Sequence, residues 1–331
     1  VMFFGEIETK LSEGALLSAS LILNDNLSKI KISKGTKIDK NIIRLLLNNN
    51  IHTIICAKLD QNDIDEDNSA YLISNSLINQ TNSNLSVSIA RQGRCNILAE
   101  INGLLKYEPD QLFNINSVTD DVGIGAINQF KMVKENQVIA TTKIIPFAIN
   151  KHIIEKIKEY SKDCFQVIPF INMNVHLIQT NNEKTLKKVL DKTLLVTQKR
   201  LQNCGITHLI EKRCDHDIKS LSKNVQQSIK EDADIILVFG ASAICDKNDV
   251  VPSSLINNQG KIIRLGMPVE PGNLMLLGKI NKSEKSIFFV GMPGCARSQK
   301  ENGVDWILWR IFCGLDVSNK DINQMGTGGL L

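Results

Sequence analysis

A chain of 331 residues is long enough for two or three domains with cores of their own. Its 43% hydrophobic and 22% charged residues are those of an ordinary globular protein. A formal charge of +4 is too small to argue for nucleic acid, 5% aromatic residues are too few for a base-stacking platform, and no run approaches the roughly 20 apolar residues of a membrane span.

The opening residues, Val1–Glu6, lack a basic stretch followed by a long apolar core, so no signal peptide is expected. Eight cysteines, none in a Cys-x-x-Cys pair, fit small buried residues in a reducing cytoplasm, the expected location. Residues 1–85 read as a small mixed α/β unit. It has a strand-rich entry over Gly5–Ile22 with a turn near Gly14, an alternating run Ile30–Thr36, a helix over Asp39–Asn48, a strand over His52–Ala57 and a helix over Glu66–Gln80. The polar run Thr81–Asn84 marks a candidate boundary. Residues 86–172 read as a β-rich middle region, with a helix over Asn96–Leu105, a β-rich run over Gln137–Ile145 after a turn at Glu135-Asn136, and a short helix over Lys151–Tyr160.

From residue 173 the pattern changes to alternating strands and helices. Strands are expected at Val175–Gln179, Thr207–Glu211, Ile235–Val238, Lys261–Leu265, Leu274–Ile280 and Ser286–Val290. Helices are expected at Asp191–Asn203, Asp217–Lys230, Ser253–Gln259 and Asp305–Gly314, with a short helix or ordered loop over Glu183–Leu190. Such alternation predicts a mostly parallel sheet with helices on both sides over 173–318, and a tail over 319–331. Ligands of such sheets sit beyond the carboxyl ends of the strands.

The main chemical signal follows Ile235–Val238. Gly240-Ala241-Ser242-Ala243 is a loop of small residues whose backbone N–H groups can approach an anion. Asp246 and Asp249 lie just beyond it and are candidates to hold a divalent cation against phosphate. Pro271-Gly272 and Pro293-Gly294 each join a rigid residue to a permissive one, as backbone-lined anion pockets require. Arg297 follows the second turn and is placed to fork onto a phosphate. Asp191-Lys192-Thr193 is expected to precede a helix, with Asp or Thr as its cap and Lys192 free to reach a phosphate. Asp215-His216-Asp217 admits a metal or acid–base reading and, alternatively, a helix cap at Asp217.

In this order the features over 173–315 resemble the molybdopterin-binding domain shared by molybdopterin adenylyltransferases and molybdenumtransferases. Asp191-Lys192-Thr193 resembles that family's Asp-Lys-Ser, and Cys214–Asp217 its Pro-Asp-Asp. Phe239–Ala243 is similar to its Thr-Gly-Gly-Thr-Gly loop, with Asp246 or Asp249 near its functional aspartate, and Gly291–Gly294 is similar to its Leu-Pro-Gly-Asn-Pro turn. Three departures stand out: Ala241 replaces a glycine, Asn273 replaces the basic residue after Pro-Gly, and Cys295-Ala296 replaces Asn-Pro. The resemblance implies a three-layer α/β/α sandwich, a homo-oligomer, and molybdopterin or a nucleotide-linked pterin as ligand, with Mg²⁺ as a further expectation.

On that basis Gly240, Ala241, Ser242, Ala243, Asp191, Lys192, Thr193, Pro271, Gly272, Pro293, Gly294 and Arg297 would bind the cofactor, and Asp246 and Asp249 would hold metal and act in catalysis. Two functions stay open: a transferase of nucleotidyl or molybdate groups, and a non-catalytic carrier. The whole chain also resembles a divergent bacterial group in which such a domain precedes a cytidylyltransferase-like part, so a nucleotidyltransferase domain or protein is an expected partner. Neither nucleic acid nor membrane is expected.

Overall fold

The structure, a computed structural model, describes residues 2–25, 28–79, 81–282 and 285–331. It divides into two compact units, Val1–Ile168 and Pro169–Leu331.

The first unit is mixed α and β. A three-stranded antiparallel sheet sets Thr53–Lys58 between Phe3–Glu8 and Leu16–Leu17, and a hairpin pairs Leu21–Asp25 with Ser28–Ile32. The helix Lys40–Asn48, capped by Asp39 accepting from the Ile42 N–H at 2.8 Å, closes a small core of Leu17, Leu23, Ile38, Leu46 and Cys56. A larger core lies between the helices Glu66–Ser76 and Lys151–Ser161 and a four-stranded antiparallel sheet, ordered Val122–Ala126, Val138–Ile144, Arg94–Ala99, Leu85–Val87. Ala70, Ile73 and Leu77 share that core with Cys95, Ile97 and Val167, so a division at 85/86 would cut through one packed cluster. Of the helix expected over Glu66–Gln80, Gln80 lies outside the described residues.

The helix expected over Asn96–Leu105 is instead two strands, Arg94–Ala99 and Gly103–Lys106. Cys95, Ile97 and Ala99 are buried in strict alternation, the period of a strand rather than a helix. Gly103 lies so close to the Ile168 carbonyl that any side chain there would collide with it.

The second unit is a six-stranded sheet between helices. Its strands are β1 (Val175–Asn181), β2 (Leu209–Asp215), β3 (Ile235–Phe239), β4 (Gly260–Leu265), β5 (Leu276–Lys282) and β6 (Lys285–Gly291). Their order is β2-β1-β3-β6-β5-β4, with the first three pairings parallel and the last two antiparallel. Six consecutive residues of β1 and all five of β3 are buried, which requires cover on both faces.

The cover comes from α1 (Lys187–Gln202), α2 (Ile218–Lys230), α3 (Val250–Asn257) and α4 (Gly303–Phe312). Ile178, Ile236 and Val238 pack with Leu221 and Val225 of α2 and Leu255 of α3. On the opposite face Gln179 donates to the Leu190 carbonyl of α1 at 2.9 Å. The expected three-layer α/β/α sandwich is the observed architecture.

The amino ends of the strands are tied together by charge. Lys285 pairs with Asp234 at 2.7 Å and Asp232 at 3.2 Å, and Asp234 accepts from the Asn174 N–H. Residues 319–331 form a helix, α5 (Asn319–Gln324), and a short return in which Glu270 donates to the Gly329 carbonyl and accepts from the Leu331 N–H.

Candidate functional site

Register alone gathers the candidate loops at one rim. Gln179 of β1 pairs with Phe239 of β3, Val238 with Gly291 of β6, Gly291 with Leu276 of β5, and Leu276 with Leu265 of β4. The segments after β1, β2, β3, β4 and β6 therefore leave the sheet at the same edge, the carboxyl end of its parallel strands.

The loop after β3 is shaped by a close approach. A side chain at Gly240 would come within 2.7 Å of the Ser242 carbonyl and 3.6 Å of the His216 ring. The next N–H, of Ala241, donates to Thr180 Oγ1 at 2.9 Å. Thr180 Oγ1 lies 2.7 Å from His216 Nδ1, and His216 Nε2 lies 2.9 Å from Ser242 Oγ. Thr180 is wholly buried, whereas Ser242 and Ala243 are exposed. Asp217 caps α2, accepting from the Ser220 N–H at 2.9 Å, and this fixes the adjacent His216 at the rim.

The two aspartates close the loop on itself. Asp249 Oδ2 accepts from the N–H groups of Cys245 at 2.6 Å and Asp246 at 3.0 Å, and these bonds hold its carboxyl below the usual carboxylate range. Asp246 Oδ1 accepts from the Asn248 N–H at 2.8 Å. Among the described residues no three His, Cys, Asp or Glu side chains gather into a cation-binding cluster. These donors do not fit a metal site held by protein alone. Their visible work is to set the loop's shape.

Arg297 joins the loop to two other elements. It sits in the 3₁₀ turn Gly294–Arg297 after β6. One guanidinium nitrogen donates to Thr193 Oγ1 of α1 at 2.7 Å, another to the Gly240 carbonyl at 3.0 Å, and the group lies 4.7 Å from the centre of the Phe239 ring. No carboxylate pairs with it among the described residues. Burial pulls the guanidinium below its ordinary pKa. A half-buried cation of this kind, with no carboxylate counter-ion among the described residues, has the chemistry to accept an anion.

Thr193, Gly240 and Arg297 are thus in direct contact, and Ala241 and Ser242 follow Gly240 without a break. Asp191 and Lys192 do not precede α1, as expected from the sequence, but lie in its second turn, because the helix starts at Lys187. Asp191 pairs with Arg213 of β2 at 2.7 Å. Pro271-Gly272 packs on the start of α4: Gly272 has φ +141°, a side chain there would meet the Gly303 N–H at 2.9 Å, and Gly303 donates to the Pro271 carbonyl. It reaches the Arg297 turn through Asn302, whose amide donates to Cys295 Sγ at 3.0 Å. Pro293 is buried at the head of the 3₁₀ turn, and Gly294 is exposed with open space around it. Gly291 lies beneath the β3 loop, where a side chain would strike Ile244 and Leu276.

Three residues that matter here carry no sequence signal. Thr180 is one of four polar positions in β1, with His176, Gln179 and Asn181, and nothing in the pattern sets it apart. Arg200 and Asp305 form a buried ion pair, and Arg200 also donates to the carbonyls of Ala296 at 3.0 Å, Ser298 at 3.1 Å and Lys300 at 3.3 Å. That pair clamps the turn bearing Arg297.

No family model matches the chain, and no curated protein matches it. Solved structures do. One is the tungsten cofactor synthesizing protein MoaB from Pyrococcus furiosus, 14% identical, covering 43% of this chain and 93% of that one, with a TM-score of 0.31. Another is molybdenum cofactor biosynthesis protein B, 15% identical, covering 45% of this chain and 97% of that one, with a TM-score of 0.28.

Proposed function

We propose that the unit Pro169–Leu331 binds molybdopterin at this rim, as a molybdenum-cofactor biosynthesis protein of the carrier type. The ligand's phosphate would sit at Arg297 and the Gly240–Ala243 loop. The observation that carries the reading is Arg297, held by Thr193, Gly240 and Phe239 and lacking a carboxylate partner among the described residues. The ordered motifs over 173–315, from Asp191-Lys192-Thr193 to Gly291–Gly294, support pterin as the body that carries the phosphate.

Asp249 favours binding over nucleotidyl transfer. One of its carboxylate oxygens is engaged by two backbone N–H groups, so it is poorly placed to hold a cation against a phosphate under attack.

Titration with molybdopterin, followed by the pterin's fluorescence, tests the reading. A charge-assisted hydrogen bond is worth about 1.5–3 kcal/mol, so Arg297→Gln is expected to weaken binding about 10- to 100-fold. Unchanged affinity in that variant would remove Arg297 from the site. Incubation with molybdopterin, Mg²⁺ and ATP or CTP is expected to release no pyrophosphate. Release that Asp246→Asn abolishes would establish the transferase instead.

A further inference from the structure

We infer that His216 is a positioning residue that turns the Ser242 hydroxyl outward as a hydrogen-bond donor to the ligand's anionic oxygen. The inference rests on the rim being a phosphate site. It follows from hydrogen-bond bookkeeping around one buried hydroxyl.

Thr180 is wholly buried, and its Oγ1 already accepts the Ala241 N–H. Its own hydrogen must find an acceptor, because a buried donor left unmade is costly. The acceptor that the described contacts place within reach is His216 Nδ1, at 2.7 Å. Thr180 therefore donates to Nδ1, and the neutral imidazole carries its proton on Nε2. Nε2 lies 2.9 Å from Ser242 Oγ and is the donor in that contact. Ser242 accepts from the ring, so its own hydrogen points away from His216. Ser242 is exposed, so that hydrogen is free to meet a ligand from solvent, two residues along the loop from Gly240, which Arg297 holds.

The same bookkeeping decides against the other chemistry that a Ser–His contact offers. A nucleophilic serine needs a base with a free lone pair at the nitrogen facing it. Here that nitrogen holds the proton, and the lone pair on Nδ1 is taken by Thr180. Ser242 binds; it does not attack. The relay also explains how a strand residue that touches no ligand controls the loop: Thr180 fixes the ring, the ring fixes Ser242, and the Ala241 N–H ties the loop back to Thr180.

Nitrogen-15 NMR of the His216 ring in the ligand-free protein, at a pH where the ring is neutral, reads the tautomer directly. Protonation on Nε2 is expected. Protonation on Nδ1, or covalent labelling of Ser242 by a fluorophosphonate probe, overturns the assignment. The second measurement is affinity for inorganic phosphate. Thr180→Val is expected to weaken it about three- to tenfold, the scale of one net hydrogen bond, with a change in the ring's nitrogen shifts. Thr180→Ser, which keeps the hydroxyl, is expected to restore both. His216→Gln, whose amide can still donate to Ser242, is expected to stay within about threefold of wild type. Wild type that binds phosphate no better than Thr180→Val overturns the role of His216. Wild type that binds no phosphate despite an Nε2-protonated ring overturns the reading of the rim itself. If Thr180→Val fails to fold, the tautomer measured in wild type still decides.

Discussion

One guanidinium, that of Arg297, joins α1, the loop after β3 and the turn after β6. The small residues Gly240–Ala243 were legible because a tight strand exit needs them, and the structure gives the reason: a side chain at Gly240 would crowd the Ser242 carbonyl. Arg297 was legible as a cation after a turn, but its contacts with Thr193 and Gly240 bring together positions 104 and 57 residues away, which no local signal encodes. His176 was not legible at all. It is wholly buried in β1, neither ring nitrogen has a hydrogen-bond partner among the described residues, and the Glu231 carboxylate stands 3.7 Å away. Burial first, and the nearby Lys212 charge second, push its pKa below the ordinary value. The sign follows from linkage. As pH falls through about 6.5 the unfolded chain takes up the proton before the folded one, so stability is full above that pH and falls below it. Urea unfolding at pH 7.5 and pH 5 is expected to show this loss in wild type. His176→Leu is expected to flatten it and to stabilise the protein by about 1 kcal/mol, since an unsatisfied buried group is removed. An equal acid slope in both proteins would exclude His176 as its source.

At the scale of elements, capping chemistry decided which boundaries could be read. α2 begins where expected because Asp217 accepts from the Ser220 N–H. α1 begins at Lys187 rather than Asp191 because its N-cap position is Leu186, which has no capping side chain to mark the start. Strand extents came close, since β3 is an apolar run buried on both faces and β1 opens on the apolar residues Val175, Leu177 and Ile178. The clamp on the Arg297 turn depends on two elements far apart in sequence, α1 through Arg200 and α4 through Asp305. Removing one partner of a buried pair leaves the other uncompensated, a loss of about 3–5 kcal/mol. Arg200→Met is expected to lower stability by that amount in urea unfolding, and to loosen the turn because three carbonyls lose their donor. The double variant Arg200→Met with Asp305→Leu is expected to recover part of the stability but not the turn. Full stability in the single variant would show that the pair is dispensable.

For the whole molecule, the chain divides into its two compact units at a boundary between Ile168 and Pro169. The sheet beyond it has its own core, and the helices that cover both faces come from the same stretch of chain. Residues 169–331 made alone are therefore expected to unfold in one cooperative transition and to keep the affinity for inorganic phosphate within about threefold of the full chain. A fragment that is molten by near-ultraviolet circular dichroism would show that the first unit is needed for folding. Within this unit the two ends of the sheet are held in different ways. The amino ends are fastened by Lys285, Asp232, Asp234 and Asn174, while the opposite edge carries the loops. That separation keeps the fastened edge apart from the loop-bearing one: Ala241, just beyond β3, and Asn273, between β4 and β5, lie at the far end of the sheet from Lys285, so exchanging either is expected to disturb the framework less than exchanging Asp234 or Lys285.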